Sequence, residues 1–85
     1  MDYFVYILRT SSNTLYIGQT NDLKKRMRQH REKTAKSAKY MRYFKSFELV
    51  YSEKQKSRSD ALKREAQLKK LTRAKKEELI AAKIL

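Results

Sequence analysis

Apolar residues fall in short runs between basic stretches, and the spacing within each run points to the element it forms. Residues 3–8, YFVYIL, are aromatic or aliphatic throughout, which predicts a strand buried on both faces or nearly so. RTSSN at 9–13 is a turn by composition, and TLYIG at 14–18 resumes the strand pattern, so the pair reads as a β-hairpin. A turn centred on Ser11 sets Tyr6 opposite Tyr16, and directly opposed residues share a face. A pairing slipped by one residue would put the two phenols on opposite faces. Gly18, the only glycine in a chain without proline, ends the second run. That place predicts a tight exit from the strand or a close approach by a ligand.

TND at 20–22 offers N-caps for a helix from about Asp22 to Glu32. At roughly 100° per residue, Leu23, Arg26, Met27 and His30 share one stripe, and Lys24, Lys25, Arg28 and Gln29 fall outside it. Arg26 and His30 thus border the seam that faces the hairpin. Residues 33–43 have no apolar period and carry four cations, Lys33, Lys36, Lys39 and Arg42, with no acid. They read as a loop. Interleaved with these cations, Tyr40, Met41, Tyr43 and Phe44 either stack on bases along a phosphate backbone or pin the loop to the core.

Alternation at Phe47, Leu49 and Tyr51 predicts a third strand, with residues 52–57 as a polar connection. Ser57 or Ser59 caps a helix to about Leu71, and Thr72 caps a last one to Leu85 with Leu79, Ile80 and Ile84 on its apolar side. No repeat, linker or low-complexity tract interrupts the chain. The expected fold is α+β in a single domain over residues 1–85: a small three-stranded, mostly antiparallel sheet flanked by helices, in the order β-β-α-β-α-α.

Charge changes this picture most. Twenty-two Lys and Arg against nine Asp and Glu leave +13 on 85 residues, an excess that favours a polyanion through counterion release. Nucleic acid is the expected partner, and Lys24, Lys25, Lys36, Lys39 and Arg42 are the candidate DNA contacts. An anionic membrane surface or an acidic protein would answer the same charge. No run of 18 apolar residues exists, so no membrane span is expected. The first residues lack the basic start of a secretory signal. The absence of cysteine excludes disulfides and thiolate metal sites and fits a reducing compartment, so a cytoplasmic location is expected.

One carboxylate stands out. Ala61, Leu62, Ala66 and Leu68 define the apolar face of the 59–71 helix, and Glu65 projects near its centre. A carboxylate there must be paired, protonated or bound to a metal, because burying it bare is costly. Lys69, at i+4, offers the simple ion pair.

Tyr6 and Tyr16-Ile17-Gly18, followed by Gln19, Thr20, Arg26 and His30, resemble the GIY-YIG nuclease domain. The resemblance covers nearly the whole chain and is strongest to the short stand-alone bacterial members. The second triplet matches letter for letter, whereas Phe4-Val5-Tyr6 keeps only the tyrosine of the first. The resemblance implies a small sheet flanked by helices that hydrolyses DNA phosphodiesters with one divalent cation, Mg²⁺ or Mn²⁺, in repair or recombination. Carried over by position, it implies catalytic roles for Tyr6, Tyr16, Arg26 and His30, and for Glu65 as the metal ligand. Gly18 and Gln19 would let the substrate backbone approach. Many members also use an asparagine beyond the glutamate, and this chain has none after Asn21.

In such a site Arg26 offers a planar fork of donors to the phosphoryl oxygens. Tyr16 or His30 would take a proton from water, and Tyr6 would orient that water or Tyr16. The alternative from another class is a non-catalytic DNA- or RNA-binding module on the same scaffold. A third is a basic domain with a protein partner in a repair complex. The nuclease needs Glu65 and a divalent cation, whereas the binders need neither.

Overall fold

The computed structural model describes residues 2–32 and 46–84 of the chain. Strands β1 (Tyr3–Thr10), β2 (Leu15–Thr20) and β3 (Phe47–Gln55) form one antiparallel sheet in the order β2-β1-β3. Helix α1 (Leu23–Glu32) lies between β2 and β3 in the chain, and α2 (Arg58–Lys70) and α3 (Arg73–Ile84) follow. The expected class and element order are those observed. The candidate contacts Lys36, Lys39 and Arg42 lie outside the described residues, as do the aromatics at 40–44.

β1 is the central strand and is apolar on both faces: Val5, Tyr6, Ile7 and Leu8 are each at most 1% exposed. Its odd residues, with Ile17 and Tyr51, pack under Ala61 and Leu68 of α2 and Ile80 of α3. Its even residues Tyr6 and Leu8 pack with Tyr16 and Phe47 under Leu23 and Met27 of α1. The result is three layers, with α1 on one side of the sheet and α2 and α3 on the other. Each fully buried large side chain contributes about 1.5–3 kcal/mol, so both thin cores are needed at this chain length.

The hairpin turn is shifted from its expected centre. Asn13 N–H donates to the Thr10 carbonyl at 2.8 Å, Thr10 N–H donates to the Thr14 carbonyl at 2.9 Å, and Asn13 takes φ 63°. This is a three-residue loop closed by a left-handed residue, a position that Asn tolerates well. Tyr6 consequently pairs with Gly18 and Leu8 with Tyr16. The pairing of Tyr6 with Tyr16 expected from a turn at Ser11 is not formed. The displacement is two residues, so both phenols still share a face.

β3 also departs from the sequence reading. Ile7 pairs with Tyr51 and Leu8 with Leu49, leaving Val50 as the extra residue of a bulge. Phe47 and Leu49 therefore face α1, whereas Tyr51 turns to α2 and α3. Residues 52–55 are strand and not a connection, because they pair with β1 as far as Tyr3. Their polar side chains find partners: Glu53 accepts from Tyr51 Oη, from Gln55 Nε2 at 2.9 Å and from Arg64 Nε at 2.7 Å. Burial pulls the Glu53 carboxyl up, but its bonds from Tyr51 and Arg64 outweigh that and hold it below the usual carboxylate range.

Local caps set the helices. Lys25 N–H donates to Asp22 Oδ1 at 3.1 Å, Asp60 N–H to Ser57 Oγ at 3.1 Å, and Lys75 N–H to Thr72 Oγ1 at 3.2 Å. α3 is tied back to the turn end of β1 by Arg9, whose fork grips both carboxylate oxygens of Glu77 at 2.9 and 2.6 Å.

Candidate active site

The site begins with a glycine. Gly18 stands opposite Tyr6, and a Cβ built on it would lie 2.6 Å from Tyr6 Oη and 2.7 Å from Cζ. The phenol ring of Tyr6 thus lies across the strand over Gly18, toward the β2 edge of the sheet. The expectation that Gly18 makes a tight exit from the strand is corrected. The strand continues to Thr20, the φ of Gly18 is not positive, and the space above it belongs to Tyr6. Smallness, and not backbone freedom, is what the position requires.

α1 supplies the ceiling. Met27 and His30 are buried and Leu23 and Arg26 half-buried, while Lys24, Lys25 and Arg28 are exposed, as the helical stripe predicts. Gln29, placed outside the stripe, is half-buried and accepts from Arg26 Nη1 at 3.2 Å. His30, 1% exposed, sits at the centre of an aromatic cluster. Its ring lies 6.2 Å from Tyr6, 5.8 Å from Tyr16 and 5.8 Å from Phe47, each edge to face, and the two tyrosine rings are 6.4 Å apart. Phe47 joins this cluster without any signal for it in the sequence. Its strand was visible in the sequence, but only the bulge in β3 decides which face it takes.

Tyr6 Oη and His30 Nε2 are 3.1 Å apart. Burial first, and then the Arg26 guanidinium, hold the imidazole down to about 4, so the ring is neutral near pH 7. Among the described residues His30 Nδ1 has no hydrogen-bond partner. A bare lone pair is tolerated better in a protein interior than an orphaned N–H. Nε2 therefore carries the proton and donates to Tyr6 Oη, and the phenol's own hydrogen is left to donate elsewhere. The Tyr6 phenol is pushed up to about 12 by burial, with the Tyr16 and Glu65 charges adding to the rise and a hydrogen bond from Arg26 opposing it. Tyr6 is thus a neutral donor at any physiological pH.

Glu65 comes from the opposite layer. Ala61 and Leu68 are the buried residues of α2, with Arg64 and Glu65 half-buried between them. Leu62, 43% exposed, and Ala66 face outward, which corrects the expected apolar face. Glu65 is on the inner stripe as expected, its side chain 18% exposed and its carboxylate 3.3 Å from Lys69 Nζ. The ion pair offered by the sequence is formed. Lys69 is 58% exposed, so a stronger cation could displace it.

Among the described residues no three His, Cys, Asp or Glu side chains gather into a metal cage. A single carboxylate still fits Mg²⁺, which keeps most of its waters and is commonly held by one or two carboxylates and substrate phosphate.

Of the other candidates, Gln19 and Lys25 line a polar cavity of about 250 Å³ together with Arg26 and Gln29. Lys24 instead borders a separate apolar groove between α1 and β3, beside Met27 and Phe47. The structure therefore brings Tyr6, Tyr16, Arg26, His30 and Glu65 to one region, sets Gln19 and Lys25 beside it, and leaves Lys24 apart.

Comparison with known proteins identifies the family. The family model described as the GIY-YIG catalytic domain matches residues 2–78. A UPF0213 protein of Natronomonas pharaonis is 41% identical over 80 residues, covering 94% of this chain and 92% of its own. The UPF0213 protein YazA of Bacillus subtilis is 38% identical over 82 residues, covering 96% and 81%. Among solved structures, the solution NMR structure of a UPF0213 protein from Bacillus halodurans superposes with a TM-score of 0.62 at 36% identity, over 98% of this chain and 86% of that one.

Proposed function

The chain belongs to the GIY-YIG catalytic-domain family, whose members are nucleases in general, and on that premise we propose that it is a divalent-metal-dependent DNA endonuclease that hydrolyses phosphodiester bonds, with branched, nicked or flapped DNA of repair or recombination as its substrates. The observation that carries this reading is a convergence on one phenol. Residues of β1, β2, α1 and α2 meet at Tyr6: Tyr16 and His30 by ring contact, Arg26 by hydrogen bond, Glu65 by its charge.

The roles follow from the geometry. Arg26 presents a permanently charged fork to the phosphoryl oxygens, whose negative charge grows toward the transition state. His30 is too buried to meet a water directly; its N–H holds the Tyr6 oxygen and so aims the Tyr6 hydrogen. Tyr6 then orients the attacking water or the phosphate, and Tyr16, half-buried at the edge of the cluster, would take the water's proton as the phenolate, having first released its own proton to solvent. Glu65 would hold Mg²⁺ or Mn²⁺, which supplies Lewis acidity toward the phosphate.

The Glu65–Lys69 pair is the one feature that favours the alternative, a DNA-binding module without catalysis. Purified protein incubated with branched and nicked DNA, with and without Mg²⁺ or Mn²⁺, separates the two. Glu65→Gln should abolish metal-dependent cleavage and leave DNA binding unchanged or slightly tighter, since one negative charge near the phosphate is gone. Arg26→Lys should lower cleavage at least ~10²-fold with much less effect on binding. Equal losses in binding and cleavage would make Arg26 one more anchor and overturn the catalytic assignment.

A further inference from the structure

Four described cations are half-buried: Arg9, Arg26, Arg64 and Lys76. Three of them have partners. Arg9 grips Glu77, Arg64 donates to Glu53, and Arg26 donates to Gln29. Lys76 differs, because among the described residues its ammonium has no hydrogen-bond or ion-pair partner. Acids lie next to it on the same helix, but both are engaged: Glu77 with Arg9 and Arg73, Glu78 with Lys75. The half-burial of Lys76 packs its stem against the fold and holds the ammonium in place, and a fold that pairs its other half-buried cations leaves this one open to a ligand.

Its surroundings say what it is open to. Lys76 lines a groove of about 280 Å³ with Leu15, Tyr16, Ile17 and Lys69. β2 is an edge strand, and this groove takes its first half. The cavity lined by Gln19, Lys25 and Arg26 takes its other end. Tyr16 faces the His30 cluster and the groove alike. At a strand rise of about 3.3 Å per residue, the two basic sites stand roughly 10 Å apart along β2. A nucleic-acid strand carries a phosphate every few ångströms, so one strand can reach both.

We infer that Lys76, supported by Lys69, seats a backbone phosphate of the substrate strand on the Tyr16 side of the reacting position, with Arg26 and Lys25 at the other end, so that the strand lies along the outer edge of β2. The inference rests on the nuclease reading for which phosphate reacts, and on geometry alone for where the strand runs. It adds α3 to the substrate-binding surface and gives the small domain a direction.

The test is equilibrium binding of a DNA duplex in chelator, where no cleavage occurs, from about 50 to 200 mM salt. Lys76→Gln should lower the slope of log affinity against log salt by about one, and weaken binding at the low end about five- to tenfold. Lys76→Arg should restore both. Lys75→Gln, the same charge change on the exposed residue next to it, should alter binding less than about twofold.

A second probe uses duplexes carrying one uncharged methylphosphonate at successive positions. At one position the neutral linkage should weaken the parent and leave Lys76→Gln unaffected. Should Lys76→Gln fail to fold, Lys76→Met keeps the apolar stem and serves in its place. The inference is overturned if the glutamine or methionine variant binds like Lys75→Gln, or if no position shows that masking. A parent that binds but cuts nothing in Mg²⁺ or Mn²⁺ overturns the nuclease reading and leaves the strand path standing. A parent that binds no DNA overturns both.

Discussion

Single residues carried most of what could be read in advance. Arg26, His30 and Glu65 stand out in the sequence because each is a polar group on an apolar stripe, whereas Tyr6 and Tyr16, ordinary in buried strands, stand out only through the family resemblance. What could not be read was their mutual support. Nothing local to Gly18 says that its neighbour across the sheet will fill its space. Gly18→Ala sets a methyl 2.6 Å from Tyr6 Oη and forces that ring off His30. A cost of about 1–3 kcal/mol in unfolding free energy is expected, with cleavage falling together with stability. An alanine variant as stable and active as the parent would show the close approach to be false.

His30 yields a pH prediction at the same scale. Its folded value near 4 lies below the ordinary 6.5, so between those values the unfolded chain binds the extra proton. Stability must therefore fall as pH drops from about 6.5 toward 4, by about 3 kcal/mol in all. Glu77, held near 2 first by its bond from Arg9, is lost only below 4.5, so the two windows barely overlap. Denaturant unfolding at each pH should show the upper phase in the parent. It should be flat there in His30→Gln, whatever that change costs overall.

At the level of elements, periodicity gave the number, type and order of the strands and helices, and pairing details decided the rest. The hairpin register depends on Asn13 accepting the left-handed turn position, a tertiary choice that composition leaves open among five turn residues. The bulge at Val50 is invisible to a period-two pattern, since it reverses the faces only after the pattern has been counted. Residues 52–55 read as a connection because they are polar; they remain strand because Arg64, arriving from α2, satisfies Glu53. This makes Glu53 the pin between the late half of β3 and α2. Glu53→Gln should destabilise by about 1–3 kcal/mol, since it removes the charge that pairs Arg64 and its one remaining acceptor oxygen cannot serve both Arg64 and the Tyr51 hydroxyl. Hydrogen exchange should localise the loss to residues 52–55 and their β1 partners at 3–6. A loss spread evenly over the domain, or none at all, would remove that role.

For the whole molecule the governing fact is charge. Among the described residues, five of the nine acids form ion pairs with cations: Asp2, Glu53, Glu65, Glu77 and Glu78. Asp22 caps α1. Little is left to offset the excess of +13. The radius of gyration is 12.4 Å and the longest extent 31 Å. The screening length is about 30 Å at 0.01 M salt and about 3 Å at 1 M. At low salt every cation therefore feels every other, and at high salt almost none do. Screening weakens the exposed ion pairs as well, but each of those is worth only about 0–1 kcal/mol. Net repulsion is the larger effect, so the melting temperature of the DNA-free protein should rise by a few degrees between low and high salt. Affinity for DNA should fall steeply over the same range, as counterion release requires. One titration thus moves the two quantities in opposite directions, which neither a generic stabilising salt effect nor a site bound mainly by apolar contact would do. A binding constant that stays flat from low to physiological salt would remove the polyanion partner, and a melting point that falls would show that the ion pairs, and not the excess charge, set the stability of this fold.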